Sequence, residues 1–522
     1  MLFSIVVYCF QFTSPILEYV VPNRIGFKYK NPWYLFSKLA AKFSENKRYI
    51  LCKYLPTSLM LLLSAYLNSF LRGVKDSVLV PSLGAELISF IKFYGVLPGT
   101  LIFFLCYTKL SNILARDKLY YTITLFFGSF FLLYAFVLSP FQGYIEPDLS
   151  KFIHSYPSLK YQFMMLQHWT TSVLYIMCEI CGTVTLSLLF WQFANELYTL
   201  KEAKKTYALF GIIGQAGIIV SGLIQTGISE YFIHHFNESE VWDLTLKSMM
   251  SSVVLAGLGL IMLYRWMYKH VFFDPVLCAR KHAGTNEKIS LSVKESLKYV
   301  CSSRYLWLIM LIVFCYGVGV NLVESLWKYE LKQVYTTQQS YSAFMGKFNT
   351  YFGVVSILVM VLGTYILRKF KWLVAALYTP LGAGITGGLF FISIIFKDKL
   401  EPLFSEFNTS ILMMAVMLGS AQVILFKSLN YTFVDATKEM AFMPLDRELR
   451  TKGKAAVDVI GNRGGKAFGA VSQQLMFQFI DPSIGNLANQ LFIFFIIVIT
   501  TWVFSVFALN RRFTQIADHA NH

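Results

Sequence analysis

Four ionisable residues stand where the surrounding sequence calls for hydrocarbon. Lys75 lies in "FLRGVKDSVLV" (70–80), Glu179 in "MCEICGTVTLSLLFW", Glu324 in "YGVGVNLVESLWKYELK" and Lys466 in "AVDVIGNRGGKAFGAVSQQ". Arg72 and Asp76 flank Lys75, and Asp458 and Arg463 precede Lys466 by about two helical turns and one. A charge at the centre of a bilayer costs at least about 2.5–3.5 kcal/mol on insertion scales, so such residues face a bundle interior or a water-filled cavity. Lys75 has a competing reading as a lysine that snorkels to headgroups, Glu324 as an interfacial residue, and Arg463 as an anchor. Glu179 resists dismissal, because a mid-span carboxylate has no water nearby. Two cations and two anions of this kind suit the binding of a multiply negative ligand. Lysine acts as a point charge toward phosphate. The expectation is that Lys75 and Lys466 draw a polyphosphate, while Glu179 and Glu324 balance the lysines when the site is empty. Arg72, Asp76, Asp458 and Arg463 are possible additional members.

Other chemistry is poorly supported. No HExxH, GxSxG or paired-carboxylate motif occurs. "GNRGGKA" (461–467) fails as a phosphate loop, with Ile460 in place of the first glycine and Ala467 where a magnesium-holding hydroxyl belongs. Cys178 and Cys181 form a CxxC inside an apolar run without a second ligand pair, which favours packing over metal or redox chemistry. The reading is therefore not an enzyme, with no metal and no cofactor.

The elements that must position these charges are helices across a membrane. The 522 residues are 56% hydrophobic and only 14% charged, against about 25% charged in an average soluble domain. A spanning helix needs about 20 apolar residues. Twelve stretches qualify: 55–80, 88–109, 119–140, 165–195, 207–228, 247–268, 304–327, 344–367, 372–396, 408–434, 454–480 and 489–509. The net charge of +17 collects in alternate loops, which points to membrane orientation rather than to nucleic acid. The tail 1–54, the link 269–303 and the end 511–522 carry many of the cations, which puts both termini in the cytoplasm. The link divides the chain into six-helix halves, 55–268 and 304–510, an arrangement used by transporters that rock about a midplane site. "LLFWQFANELYTLKEAKK" (188–205) and "ILFKSLNYTFVDATKE" (424–439) echo each other at the end of the fourth span of each half.

Several long stretches resemble the ATP/ADP translocases of obligate intracellular bacteria and plastids. They include "LRGVKDSVLVPSLGAELISFIKFYGVLPG", "LSLLFWQFANELYTLKEAKKTYALFG", "YGVGVNLVESLWK", "FVDATKEMAFMPLDRELRTKGKAAVDVIG" and "GGKAFGA", in order over about residues 50 to 512. The resemblance implies an all-α, twelve-span, major-facilitator-like fold and strict nucleotide exchange. It also implies transport roles for Lys75, Glu179, Glu324 and Lys466, a bacterial inner membrane as the location, and a monomer whose partners are nucleotide and lipid. The charges match the family but their neighbours do not: Glu179 is followed by Ile180-Cys181-Gly182, where the family commonly has Leu-Trp-Gly. That difference keeps GTP, CTP or UTP open beside ATP as the substrate. A proton-coupled importer of another organic anion, with Glu179 as proton carrier, is the rival reading.

Overall fold

The computed structural model describes residues 50–236, 238–274, 303–405, 410–445, 453–454, 457, 461 and 463–521. The anticipated tail, most of the link and Asp458 lie outside the described residues. What is described is almost wholly helical. The helices are α1 (Ile50–Leu83), α2 (Leu87–Ile113), α3 (Arg116–Leu138), α4 (Trp169–Leu197), α5 (Leu200–His235) and α6 (Glu238–His270). They continue as α7 (Arg304–Val334), α8 (Gln338–Lys369), α9 (Trp372–Ile395), α10 (Ile411–Phe442), α11 (Gly464–Phe479) and α12 (Ala488–Asn521). Among the described residues eleven of these are long and apolar enough to cross a bilayer. The exception is α11, with 16 residues, because the chain before it is only partly described. Large apolar side chains such as Ile102, Leu105, Leu362, Ile385 and Phe504 are exposed on the outside of the bundle, as a lipid-facing surface requires.

Successive helices run in opposite directions, so the connections fall on two faces. The proximal face carries the start of α1, the α2–α3, α4–α5 and α8–α9 turns, and the end of α12. The distal face carries residues 84–86, 139–168, 335–337 and 480–487. Gly84, at φ 97°, closes α1 there in a conformation that side chains disfavour. One apolar cluster gathers residues between Met60 and Phe272. A second gathers residues between Tyr305 and Leu509, joined by the distal end of α1 and the start of α2.

Helices α1–α6 and α7–α12 meet along the distal side. Phe90 of α2 stacks on Tyr161 and on Phe477 of α11, with ring centroids 5.0 and 6.4 Å apart. The Tyr161 hydroxyl donates to the Pro482 carbonyl. Gln474 Nε2 donates to the Ser89 carbonyl at 2.7 Å, and Gln338 Nε2 to the Val78 carbonyl at 3.0 Å. Between α5 and α8 the backbones nearly touch. A Cβ added to Gly222 would lie 2.5 Å from the Gly346 carbonyl oxygen, and one added to Gly346 would lie 2.6 Å from the Thr226 nitrogen. Buried hydrogen bonds lock this seam: Gln225 Nε2 to Ser342 Oγ at 3.2 Å, Ser229 Oγ to Ser342 Oγ at 3.1 Å, and Gln339 Nε2 to the Ser229 carbonyl at 2.6 Å. Close approach through small residues, secured by side-chain hydrogen bonds, is how helices associate where lipid supplies no hydrophobic drive. Gly211 and Gly214 turn away from neighbouring helices: a Cβ on either would meet nothing within 4 Å, while Phe210 and Ile212 of the same turn are buried.

This contrast yields a test. Gly222→Ala forces the α5–α8 backbones apart and is expected to destabilise the purified protein by about 1–3 kcal/mol, the usual range for overpacking. Gly211→Ala should be neutral or slightly stabilising. Thermal unfolding in detergent reads both; equal effects would contradict the seam.

Candidate functional site: a charged chamber between the helices

The charges singled out in the sequence converge midway through the bundle. Lys75 Nζ lies 2.9 Å from Glu179 Oε1, joining α1 to α4, and 3.3 Å from Asp76 Oδ1. Lys75 also sits over the Tyr175 ring, 3.6 Å from its centroid. Asp76 Oδ2 reaches across to Lys328 of α7 at 2.8 Å, which ties the two groups of helices together. Glu324 pairs with Lys427 of α10 and not with Lys466. Arg72 lies within the field of Glu179, Glu324 and Asp76, and Lys466 within that of Arg72, Glu324, Glu179 and Lys427. The four residues therefore share one chamber.

Local sequence explains the placement. Asp76 and Lys75 are adjacent, so on a helix their side chains diverge by about a quarter turn, and each reaches a different partner helix. Glu324 and Lys328 are four apart on α7, which puts both on the face turned toward the chamber. Lys466 enters the chamber from the first turn of α11. There Gly465 packs against the Phe314 backbone of α7, and Asn321 Nδ2 donates to the Lys466 carbonyl at 2.7 Å. Helices α2, α4 and α10 each depart from α-geometry near these charges, with π-helical stretches at Ile91–Val96, Val184–Phe190 and Asn430–Val434. Such bulges are frequent at functional sites. The last two fall in the paired segments 188–205 and 424–439 or just before them.

Exposure grades along the chamber. Arg72 and Lys466 are open to solvent although both lie within the bundle. Glu179, Glu324 and Lys427 keep 17–22% of their side-chain surface. Lys75, Asp76 and Lys328 are buried, at 3%, 5% and 8%. Exposure thus falls from Arg72 to Lys75 and Asp76 along α1 in the distal direction. Arg72 and Asp76, ambiguous by sequence, both belong to the chamber, while Arg463 is exposed just before α11.

Sequence reasoning missed Lys92, Lys328, Lys427 and Tyr431. Lys92 and Lys427 sit inside the apolar runs "LISFIKFYGVLPG" and "VILFKSLNY", so the burial cost that singled out Glu179 applied to them as well. Tyr431 carries only an aromatic signal in a chain with 17% aromatics, yet it is exposed and lies in the field of Arg72 and Glu324. Among the aromatic residues near the charged positions in the sequence, Trp327 is buried and donates to Ser420 Oγ at 3.0 Å. Phe193 is packed among Tyr264 and Phe272. Neither is available to a ligand. Cys178 and Cys181 are free and buried, as packing residues are.

The Asp76–Lys328 pair generates a second prediction. Breaking a buried pair by removing one partner costs about 3–5 kcal/mol, whereas replacing both partners is far milder. Lys328→Met should lower the unfolding temperature of the purified protein. Asp76→Asn combined with Lys328→Met should lower it by clearly less than the two single changes added together. Simple additivity in this double-mutant cycle would show that the two side chains do not interact.

Comparisons with known proteins agree with this architecture. Residues 30–513 match the TLC ATP/ADP transporter family. The chain is 37% identical over 498 residues to "ADP,ATP carrier protein 3" of Rickettsia conorii, covering 93% of this chain and 99% of the relative. It is 39% identical over 481 residues to "ADP,ATP carrier protein 1" of Rickettsia bellii, covering 91% and 95%. Among solved structures, a bacterial homologue of the iron transporter ferroportin in an inward-facing state superposes with a TM-score of 0.56 at 12% identity, over 88% of this chain and 98% of that one. The inward open xylose transporter XylE from E. coli gives 0.52 at 15% identity, over 87% and 94%. These likenesses identify a major-facilitator-like fold. The family match over most of the chain, with relatives of this identity along their whole length, places the protein in the TLC ATP/ADP transporter family.

Proposed function

We propose that this protein exchanges nucleotides, ATP against ADP, across a bacterial inner membrane by alternating access. The observation that carries the reading is the convergence of ionised side chains inside the bundle, Lys75 with Glu179, Asp76 with Lys328 and Glu324 with Lys427, with Arg72 and Lys466 exposed on their proximal side. The family and the carriers it resembles supply the substrate class. The proximal loops hold clusters such as Arg368, Lys369 and Lys371, so the positive-inside rule makes that face cytoplasmic and both termini with it. The conformation described is then open to the cytoplasm. The units that move are the two six-helix halves, 55–268 and 304–510, hinged where α5 and α8 touch.

In this reading Lys75, Glu179, Glu324 and Lys466 form the substrate site, with Arg72 and Asp76 beside them. Phosphate oxygens compete with Glu179 for Lys75 and with Glu324 for Lys427. Substrate arrival thereby loosens the lattice that holds the empty chamber. Asp76–Lys328 must part before the distal side opens, since the pair joins the halves. An empty chamber would have to close around uncompensated positive charge, which low-dielectric surroundings penalise. Reorientation without cargo is therefore slow, and transport is exchange. A ligand shifts the equilibrium between the two openings only by binding one better than the other, so concentration gradients set the net direction.

The test uses membrane vesicles or a heterologous bacterium containing the protein. Labelled ATP should enter rapidly when unlabelled ADP or ATP is inside, and at least tenfold more slowly without internal nucleotide. An uncoupler should leave the initial rate unchanged. Parallel uptake of GTP, CTP and UTP defines the base preference. Uptake that needs no internal nucleotide and collapses with the uncoupler would support the proton-coupled reading instead.

A further inference from the structure

We propose that Lys92 is a phosphate-binding residue and that, with Arg72 and Lys466, it forms a three-cation cradle matched to a ligand of about three to four negative charges. The inference rests on the function proposed above for the chemistry of the ligand, but its geometry stands separately.

The chamber holds six cations, Arg72, Lys75, Lys92, Lys328, Lys427 and Lys466, and three carboxylates, Asp76, Glu179 and Glu324, among the described residues. Pairing divides them unequally. Lys75, Lys328 and Lys427 each contact a carboxylate directly. Arg72, Lys92 and Lys466 make no ion pair with any described residue. With every group ionised, the unpaired trio is the whole excess of charge. A nucleoside diphosphate brings about three negative charges and a triphosphate about four near neutral pH, because the terminal phosphate ionises for the second time near 6. A monophosphate brings about two, and inorganic phosphate fewer still.

Lys92 is well placed to hold the innermost phosphate. It lies in the π-helical stretch of α2, between two contacts that fix its orientation. On one side Ser89 accepts from Gln474 of α11 at 2.7 Å. On the other, a Cβ on Gly95 would come within 2.6 Å of Ile176 of α4, three residues before Glu179. Lys92 therefore sits between the helices that carry Lys466 and Glu179. It lies two residues along α2 from Phe90, a member of the Phe90–Tyr161–Phe477 stack. Its side chain is partly exposed, so it borders the aqueous space. Its charged surroundings are Lys328 and Lys75, which repel it, and Glu324 and Glu179, which attract it but already hold other lysines. A lysine inside a membrane bundle, in the field of two further lysines and without a counter-ion of its own, breaks the rule that such charges are paired. Violations of that kind mark functional sites. The missing partner is an anion that arrives through the proximal opening.

The experiment uses the full-length protein purified in detergent, with inorganic tripolyphosphate as probe and inorganic phosphate for comparison. Tripolyphosphate should raise the unfolding temperature of the wild type, and phosphate at the same concentration should do so far less. Lys92→Gln should weaken tripolyphosphate binding at least tenfold and narrow its advantage over pyrophosphate, whereas Lys92→Arg should retain most of both. In the wild type, tripolyphosphate should also protect Lys92 from an amine-modifying reagent, read by mass spectrometry. This measurement remains informative if the Gln variant folds poorly. Undiminished binding by Lys92→Gln, absence of protection, or no binding of tripolyphosphate by the wild type would each overturn the inference. If tripolyphosphate binds in a Lys92-dependent manner but no nucleotide is exchanged in vesicles, the cradle stands and the proposed substrate is wrong.

Discussion

A carboxylate or an ammonium group cannot rest alone in a low-dielectric interior, and this constraint organises the molecule. Removing such an ion from water costs several kcal/mol, which is recovered only through close pairing, further hydrogen bonds or retained hydration. The chain meets the requirement in two ways. Lys75, Asp76 and Lys328 are dry and joined into a chain of contacts. Arg72 and Lys466 keep exposed side chains and can retain hydration. The helices are arranged so that every mid-bundle charge obtains one solution or the other.

The same constraint links binding to movement. The Asp76–Lys328 pair is both part of the charged lattice and a bridge between α1 and α7. Lys75 touches Asp76 and Glu179 together, so a change in its partners is felt at the bridge. The distal contacts are built differently, from aromatic stacking at Phe90, Tyr161 and Phe477 and from hydrogen bonds of the Gln474 side chain to the Ser89 carbonyl and of Ile484 N–H to the Glu86 carboxylate. The α5–α8 seam is tighter still, with glycine facing glycine, and has the rigidity expected of a pivot. In the proposed exchange cycle the ion pairs lie near the substrate, the distal contacts form the seal and the α5–α8 backbone packing forms the hinge.

The sequence alone determined the solvent and the general design. Apolar runs of bilayer length can only be helices, because backbone groups in lipid must be satisfied within the segment. The alternation of basic loops followed from the same runs. Lys75, Glu179, Glu324 and Lys466 were legible because a charge in such a run is costly wherever the helix ends up. Cost is a property of one residue and its neighbours in the chain, and it can be read without knowing the partner.

Pairing is a different matter and was decided by tertiary structure. That Lys75 meets Glu179, that Glu324 meets Lys427 and not Lys466, and that Asp76 crosses to Lys328 depend on helix rotation and crossing. These are set by packing details such as Gly222 against Gly346, residues far from any charge. Lys92 and Lys427 carry the same burial cost, but a single lysine in an apolar run can also snorkel, and the sequence does not separate the two outcomes. Only the assembled bundle shows that they lie beside the other charges, where snorkelling to lipid headgroups is closed to them. The sequence thus specified which side chains are expensive to bury, and the three-dimensional arrangement specified which of them are paired and which rely on exposure.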